Sequence, residues 1–195
     1  MLAPRFKYSV EGIVGYPLWV YGRNLKEKRR CMNLIDLMPL GEWKRLQSDL
    51  HARYGLNADV MDAEGKRLAG VSWGNQLCSS LHDDAKGFGA VCLPAGQMFI
   101  HLMNAEKVPF AEECDAGMMR VSVPVVVDGE VLGAVGGCGL IPHDGEVDGF
   151  TIEMMSGLDE AAVESLAVTV AAAGPNSVED IQTFVMDRLP ALVNG

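Results

Sequence analysis

The stretch from Cys114 to Leu140, CDAGMMRVSVPVVVDGEVLGAVGGCGL, constrains this chain more than any other, because its turn fixes which side chains share a face. Asp128-Gly129 is the signal of a two-residue type I′ hairpin turn, and the β-branched runs on either side suit strands. Val127 then pairs with Glu130. Alternation carried outward from the turn sets Val125 opposite Leu132, Val123 opposite Ala134, Val121 opposite Gly136 and Met119 opposite Cys138, on one apolar and buried face. The other face carries Arg120, Ser122, Pro124 and Val126 against Gly137, Val135, Gly133 and Val131. Pro124 has no N–H to donate, so its strand is an edge or carries a bulge. On the buried face Ala134 and Gly136 are small, and Cys138 points into the volume they leave. That volume is either a pocket with a thiol in its wall or the seat of bulky side chains from a covering helix, since interiors are close-packed.

The rest of the chain supplies elements to pack on this hairpin. Trp43, Leu46 and Leu50 recur at helical spacing between Pro39 and Tyr54, with Gly55 just beyond as a stop. Asn57 to Asp62 and Arg67 to Val71 flank Ala63-Glu64-Gly65-Lys66 and read as a second hairpin. Met98, Leu102 and Ala105 give a helix over Pro94 to Lys107 that covers the sheet. An acidic loop from Pro142 to Asp148 leads to a short strand at Phe150 to Met155. Ser156 with Asp159 and Ser177 with Asp180 are placed like capping boxes for two closing helices. The second of these carries Ile181, Phe184, Val185 and Leu189 on one stripe and stops at Pro190. The order describes an α+β fold, a PAS-like or GAF-like antiparallel sheet with helices packed on one face.

Composition sets the outer limits. A chain of 195 residues that is 49% hydrophobic can bury one good core. It divides into an N-terminal arm or extension over residues 1–30 and a single domain over 31–195. A formal net charge of −10 argues against a nucleic-acid partner, which needs a concentrated basic surface. The one basic run, Arg23 to Arg30, is interrupted by Glu27 and reads as a solvated linker. No stretch has the length of a membrane span, and Gly12 to Gly22 lacks a signal-peptide layout, so the expected location is cytoplasmic. Five cysteines in such a chain point to reduced thiols, ligands or sensors.

Asp36-Leu37, Asp62-Ala63-Glu64-Gly65, Cys78, Cys92, Cys114-Asp115-Ala116-Gly117 and PVVVDGEVLG from Pro124 to Gly133 together resemble the PocR sensory domain, over roughly Asn33 to Leu140. The resemblance implies a variant PAS-like fold that binds small organic ligands such as simple diols and is joined to a transcriptional or signalling output. Cys78, Cys92 and Cys114 look like the family's recurring cysteines. The chain departs from the pattern at Asp115, where members often have His, and at Cys138, where many have Gln. It contains no recognisable helix-turn-helix, kinase or receptor segment, so an output is expected to pass through a downstream signalling protein. A homodimer through the terminal helices is compatible with the analogy.

The candidate ligand-binding residues are Cys114, Met119, Cys138, Glu113 and Val121, around a pocket between sheet and helix. The alternative is a redox sensor in which Cys78, Cys92, Cys114 and Cys138 hold zinc or an iron-sulfur cluster, chemistry that four convergent thiolates support. His82 and His101 are possible haem ligands, although no haem-attachment motif is present. No catalytic residue is assigned. A Cys114–His101 pair would need an orienting third group, and Glu112, Glu113 and Asp115 crowd Cys114 with charge that raises its thiol pKa. The glycines from Gly133 to Gly139 lack the lysine and the strand-to-helix turn of a phosphate loop. Met118, Met119, Met154 and Met155 suit an adaptable apolar pocket or ordinary core packing.

Overall fold

The computed structural model describes residues 32–193, with side chains to Leu189; the arm expected at residues 1–30, the basic run and Cys31 lie outside them. A single helical turn, α1 (Leu34–Leu37), and a long helix, α2 (Leu40–Tyr54), precede strand β1 (Asn57–Asp62). A helical stretch follows, made of α3 (Gln76–Asp83), α4 (Ala85–Gly87), a π-helical turn (Phe88–Cys92) and α5 (Leu93–Glu106). Strands β2 (Phe110–Glu113), β3 (Met119–Val127) and β4 (Glu130–Ile141) come next. The chain closes with α6 (Gly149–Met155), α7 (Glu160–Ala167), β5 (Ala171–Ala172) and α8 (Ser177–Val193). This is the expected α+β architecture.

The sheet runs β1-β4-β3-β2 with antiparallel pairs, and β5 adds a two-residue parallel pairing at the end of β4. The central turn is as predicted: Asp128 and Gly129 have φ of 49° and 82°, and Val127 pairs with Glu130. β2 pairs with β3 only as far as Ser122, so Pro124 lies where β3 has become an edge. That is where a residue without an N–H is tolerated.

The register beyond the turn differs from the expectation. The β3–β4 ladder is irregular between Val125 and Val126 and again between Met119 and Arg120, leaving Leu132 and Gly139 as extra residues. Past the first bulge Val125 pairs with Gly133, Val123 with Val135, Val121 with Gly137 and Arg120 with Cys138. A slip of one residue exchanges the faces. Cys138 therefore shares its face with Arg120, not with Met119. Gly139, the second bulge residue, has φ of 85°, and a Cβ there would stand 2.1 Å from Asn57 Nδ2.

Helices cover the sheet on both sides rather than on the one face expected, because both faces carry buried apolar side chains. On one side Trp43, Leu46 and Leu50 of α2 and Ile181, Val185 and Leu189 of α8 pack on Ala58, Val60, Met119, Val121, Val123 and Val125. α2 stops as expected, with Gly55 left-handed at φ 71°, and Trp43 Nε1 donates to Leu34 O at 2.9 Å. On the other side Ala95, Phe99 and Met103 of α5 pack on Met61, Ala134 and Phe110. The buried stripe of α5 is thus Ala95/Phe99/Met103; Met98 and Leu102 are half-buried and Ala105 is exposed. A third cluster joins Leu77 and Leu81 of α3 to Val91, Met118, Ile152 and Val163.

Four smaller expectations are corrected. The return strand of the second hairpin is reduced to isolated bridges, Met61 with Arg67 and Ala58 with Ser72, although the turn closes through Asp62 N to Lys66 O. Phe150 to Met155 is helical, because Asp148 caps it by accepting from Thr151 N at 2.9 Å; Phe150 and Met154 stay exposed. α7 is capped by Asp159, which accepts from Ala162 N, while Ser156 Oγ accepts from Leu158 N. Ser177 is the first residue of α8, with its hydroxyl accepting from Gly174 N, and the helix continues through Pro190 to Val193. Among the described residues no helix is long and apolar enough to cross a membrane.

Candidate functional site

The sheet face shared by Arg120 and Cys138 also carries Asn57 and Asp59 of β1, which pair with Cys138 and Gly136. Asn57, Asp59 and Arg120 are each at most 3% exposed, so this is a buried polar strip. Buried charges persist only when paired and hydrogen-bonded. Arg120 Nη2 donates to Asp59 Oδ1 at 2.6 Å and Nη1 to Oδ2 at 3.4 Å, while Arg67 Nε donates to Asp59 Oδ2 at 3.1 Å. The guanidinium of Arg120 also lies 5.4 Å from the Phe99 ring centroid. Burial works against the charge of Arg120, but Asp59, with help from Cys138, more than offsets it and the pKa is raised. One nitrogen of the guanidinium is left without a partner. Arg120 Nε is buried and has no hydrogen-bond partner, although the Cys138 sulfur stands beside the guanidinium.

Asn57 ties the strip to α3. Its Oδ1 accepts from Gly74 N at 2.8 Å and Asn75 N at 3.3 Å, and its Nδ2 donates to Cys138 Sγ at 3.9 Å. Asn75 caps α3 by accepting from Cys78 N at 2.7 Å and donates from Nδ2 to Gly139 O at 3.0 Å. Two asparagines thereby fix the strand bulge and the helix start together, which holds Cys78 and Cys138 over the same space.

That space is a cavity of about 100 Å³ between the polar strip and the helical stretch. Its floor is Asn57, Asp59, Arg120 and Cys138, and its walls include Leu81, Val91, Ala95, Phe99 and Met118. Trp73, His82 and Phe88 form part of its lining as an edge-to-face row, each centroid 5.2 Å from the next. Trp73 and Phe88 are each 37% exposed, which places the row where the cavity meets the surface. The π-helical turn delivers Phe88, Val91 and Cys92 to the lining, in keeping with the frequent use of such turns at functional sites.

All four cysteines expected to matter line this one cavity. Cys78 is buried and Cys92, Cys114 and Cys138 are half-buried, all as free thiols. Cys114 sits on a tight turn in which Gly117, at φ 73°, donates its N–H to Cys114 O at 2.9 Å. This accounts for glycine in the Cys-Asp-Ala-Gly element. Burial pushes all four thiols up, Cys92 to about 11. For Cys114, burial outweighs the N–H groups of Ala116 and Met118 that favour its thiolate, and Asp115 adds only a small further push. Among the described residues no three His, Cys, Asp or Glu side chains are grouped closely enough to hold a single metal ion.

The other expected residues fall elsewhere. Met119 and Val121 lie in the opposite core against α2 and α8. Glu113 is exposed at the end of β2, and His101 is exposed on α5. His82 lines the cavity. Sequence reasoning missed Asn57, Asp59, Arg120 and Trp73; the signal available was one amide and one acid on alternate positions of β1, Asn57 and Asp59, interleaved with apolar Ala58, Val60 and Met61.

A sequence profile described as the sensory domain found in PocR matches residues 36–188. No curated protein and no solved structure matches the chain.

Proposed function

This chain belongs to the PocR sensory-domain family, and from that premise we propose that its sensing site is the cavity between the polar strip and α3–α5, taking a small organic ligand. The observation that carries this reading is the combination of size and lining. Ligand sites are mostly apolar with a few placed polar groups, and here aliphatic and aromatic walls stand over one buried polar floor. At about 100 Å³ the space is smaller than the ~150 Å³ cavity that admits benzene, so the guest is a molecule of few heavy atoms. Cys114 and Cys138 stay in the proposed contact set, and Asn57, Arg120 and Trp73 join them. Occupancy would be reported from the cytoplasm to a downstream signalling protein, with a homodimer through the terminal helices as part of the same proposal.

The test uses a plug. Gly96 lines the cavity, and a Cβ there meets nothing within 4 Å, so Gly96→Leu fills space without a backbone clash. The full chain is titrated with short diols, alcohols and acids while the Trp73 indole N–H is followed by NMR. Saturable shifts with at least one compound that vanish in Gly96→Leu are expected. Binding that survives the plug would sink the assignment of the site.

The alternative, a cysteine-bound zinc or iron-sulfur cluster serving redox sensing, has four thiols on one cavity behind it but is disfavoured by their spacing, since no three of them are grouped closely enough for one metal ion among the described residues. Anaerobic purification with iron and zinc analysis and an absorption spectrum decides it. Stoichiometric metal that is lost in Cys138→Ser would put this reading first.

A further inference from the structure

We propose that the ligand of this cavity is a compact organic anion, a short-chain monocarboxylate, whose carboxylate is held by the Arg120 guanidinium. The inference rests on the small-ligand reading of the same cavity. Its first support is a charge count. Among the described lining residues Asp59 is the one acid, and both Arg120 and Arg67 bond to it. Two permanent cations thus share one carboxylate. The lining thiols add no compensating charge at neutral pH, because burial keeps them protonated. His82, another polar ring of the lining, supplies no negative charge.

The second support is independent of the count. Buried donors nearly always have partners, and a charged one left alone is an exception that asks for a cause. Arg120 Nε–H is such an exception, with only the Cys138 thiol, a weak acceptor, beside the guanidinium, while each terminal nitrogen donates to Asp59 and Nη2 also reaches Met61 Sδ. A carboxylate oxygen would give Nε–H a strong acceptor and bring the missing negative charge, as charge-assisted contacts of this type do. A neutral hydroxyl or amide would satisfy the donor alone. The rest of the ligand would lie against Leu81, Val91 and Met118. The volume limits it to a chain of about two to five carbons.

The test titrates the isotopically labelled full chain with acetate, propionate and butyrate, and separately with propionamide, 1-propanol and 1,2-propanediol, at constant ionic strength. The Trp73 indole and Cys138 amide resonances report on the cavity. Propionate or butyrate should bind at least about tenfold tighter than propionamide, the weight of one charge-assisted contact. Arg67→Gln, at a half-exposed site, should weaken the acids several-fold more than the neutral compounds. Neutral compounds binding as tightly as the acids would overturn the anion assignment and leave the small-ligand reading standing. Acid binding that persists in Gly96→Leu would overturn the site. If neither set moves the cavity resonances, both the inference and the reading beneath it fall.

Discussion

The two faces of the sheet solve opposite problems with the same strands. Toward α2 and α8, Val121, Val123, Val125, Val60 and Ala58 are at most 3% exposed and interlock with Trp43, Leu50 and Ile181. Toward α3–α5, the same strands present Asn57, Asp59 and Arg120 and keep an unfilled space above them. One face is packed for stability, and the other gives up packing density to hold a polar floor beside a cavity. The comparison teaches that a packed core and a polar cavity are separated by the thickness of one sheet, with a bulge deciding which residues face which.

The largest expected effect comes from breaking the polar floor on one side only. Arg120→Met should cost about 3–5 kcal/mol, because it strands the buried Asp59 carboxylate with only the half-exposed Arg67 as partner. Adding Asp59→Asn should recover most of the loss. Urea unfolding of the single and double variants measures both, and a double variant no more stable than the single would show that Asp59 is not the source of the penalty. Slightly smaller is Leu50→Ala on the packed face, with a loss of about 2–5 kcal/mol from cavity creation. By contrast Cys138→Ala on the other face should cost below about 1 kcal/mol, since its side chain already borders empty space. Equal costs for Leu50→Ala and Cys138→Ala would erase the distinction between the faces.

How much of this was legible follows from the same bulges. The Asp128-Gly129 turn and the first hairpin pair could be read because a type I′ turn depends on two residues alone. Helix α2 could be read because its stripe and its glycine stop agree. Beyond Val126 the sequence carries no comparable mark of the extra residue at Leu132, so a faithful count of alternation sends Cys138 to the wrong face. Met119 and Val121 were therefore expected in the pocket and lie in the packed core. The cysteines were convergent for another reason. Each lies on a different element, and contacts between residues far apart in sequence bring those elements together: the Asn57–Cys138 and Asn75–Gly139 hydrogen bonds, 81 and 64 positions apart, and the apolar cluster that packs Cys78, Cys92 and Cys114 with Met118. The Asp148 cap was harder to foresee, because a single capping side chain outweighs a short apolar pattern, whereas at α7 the helix was legible and only the capping residue within Ser156–Asp159 was exchanged.

The smallest effect sharpens the comparison through protonation. Burial, with smaller pushes from Cys138 and Cys114, raises the Cys92 thiol to about 11, and Cys78, deeper in the same wall, is raised further. The thiolate is the nucleophile, so alkylation of Cys92 by iodoacetamide should be slow at pH 7 and rise about tenfold per pH unit toward 11. Cys78 should react more slowly than Cys92 at every pH. Peptide mapping by mass spectrometry reads both rates. The sign for stability runs the same way. A thiol whose folded pKa lies above its unfolded value binds its proton more tightly in the native state. Its contribution is full below the ordinary thiol range and is lost as pH rises through that range to about 11. The loss belongs to the cavity face alone, because the described cysteines all line it while the packed face has none. A Cys92→Ser/Cys78→Ala variant should therefore flatten the alkaline limb of the stability curve, and a limb unchanged in that variant would place the alkaline sensitivity elsewhere than in this wall.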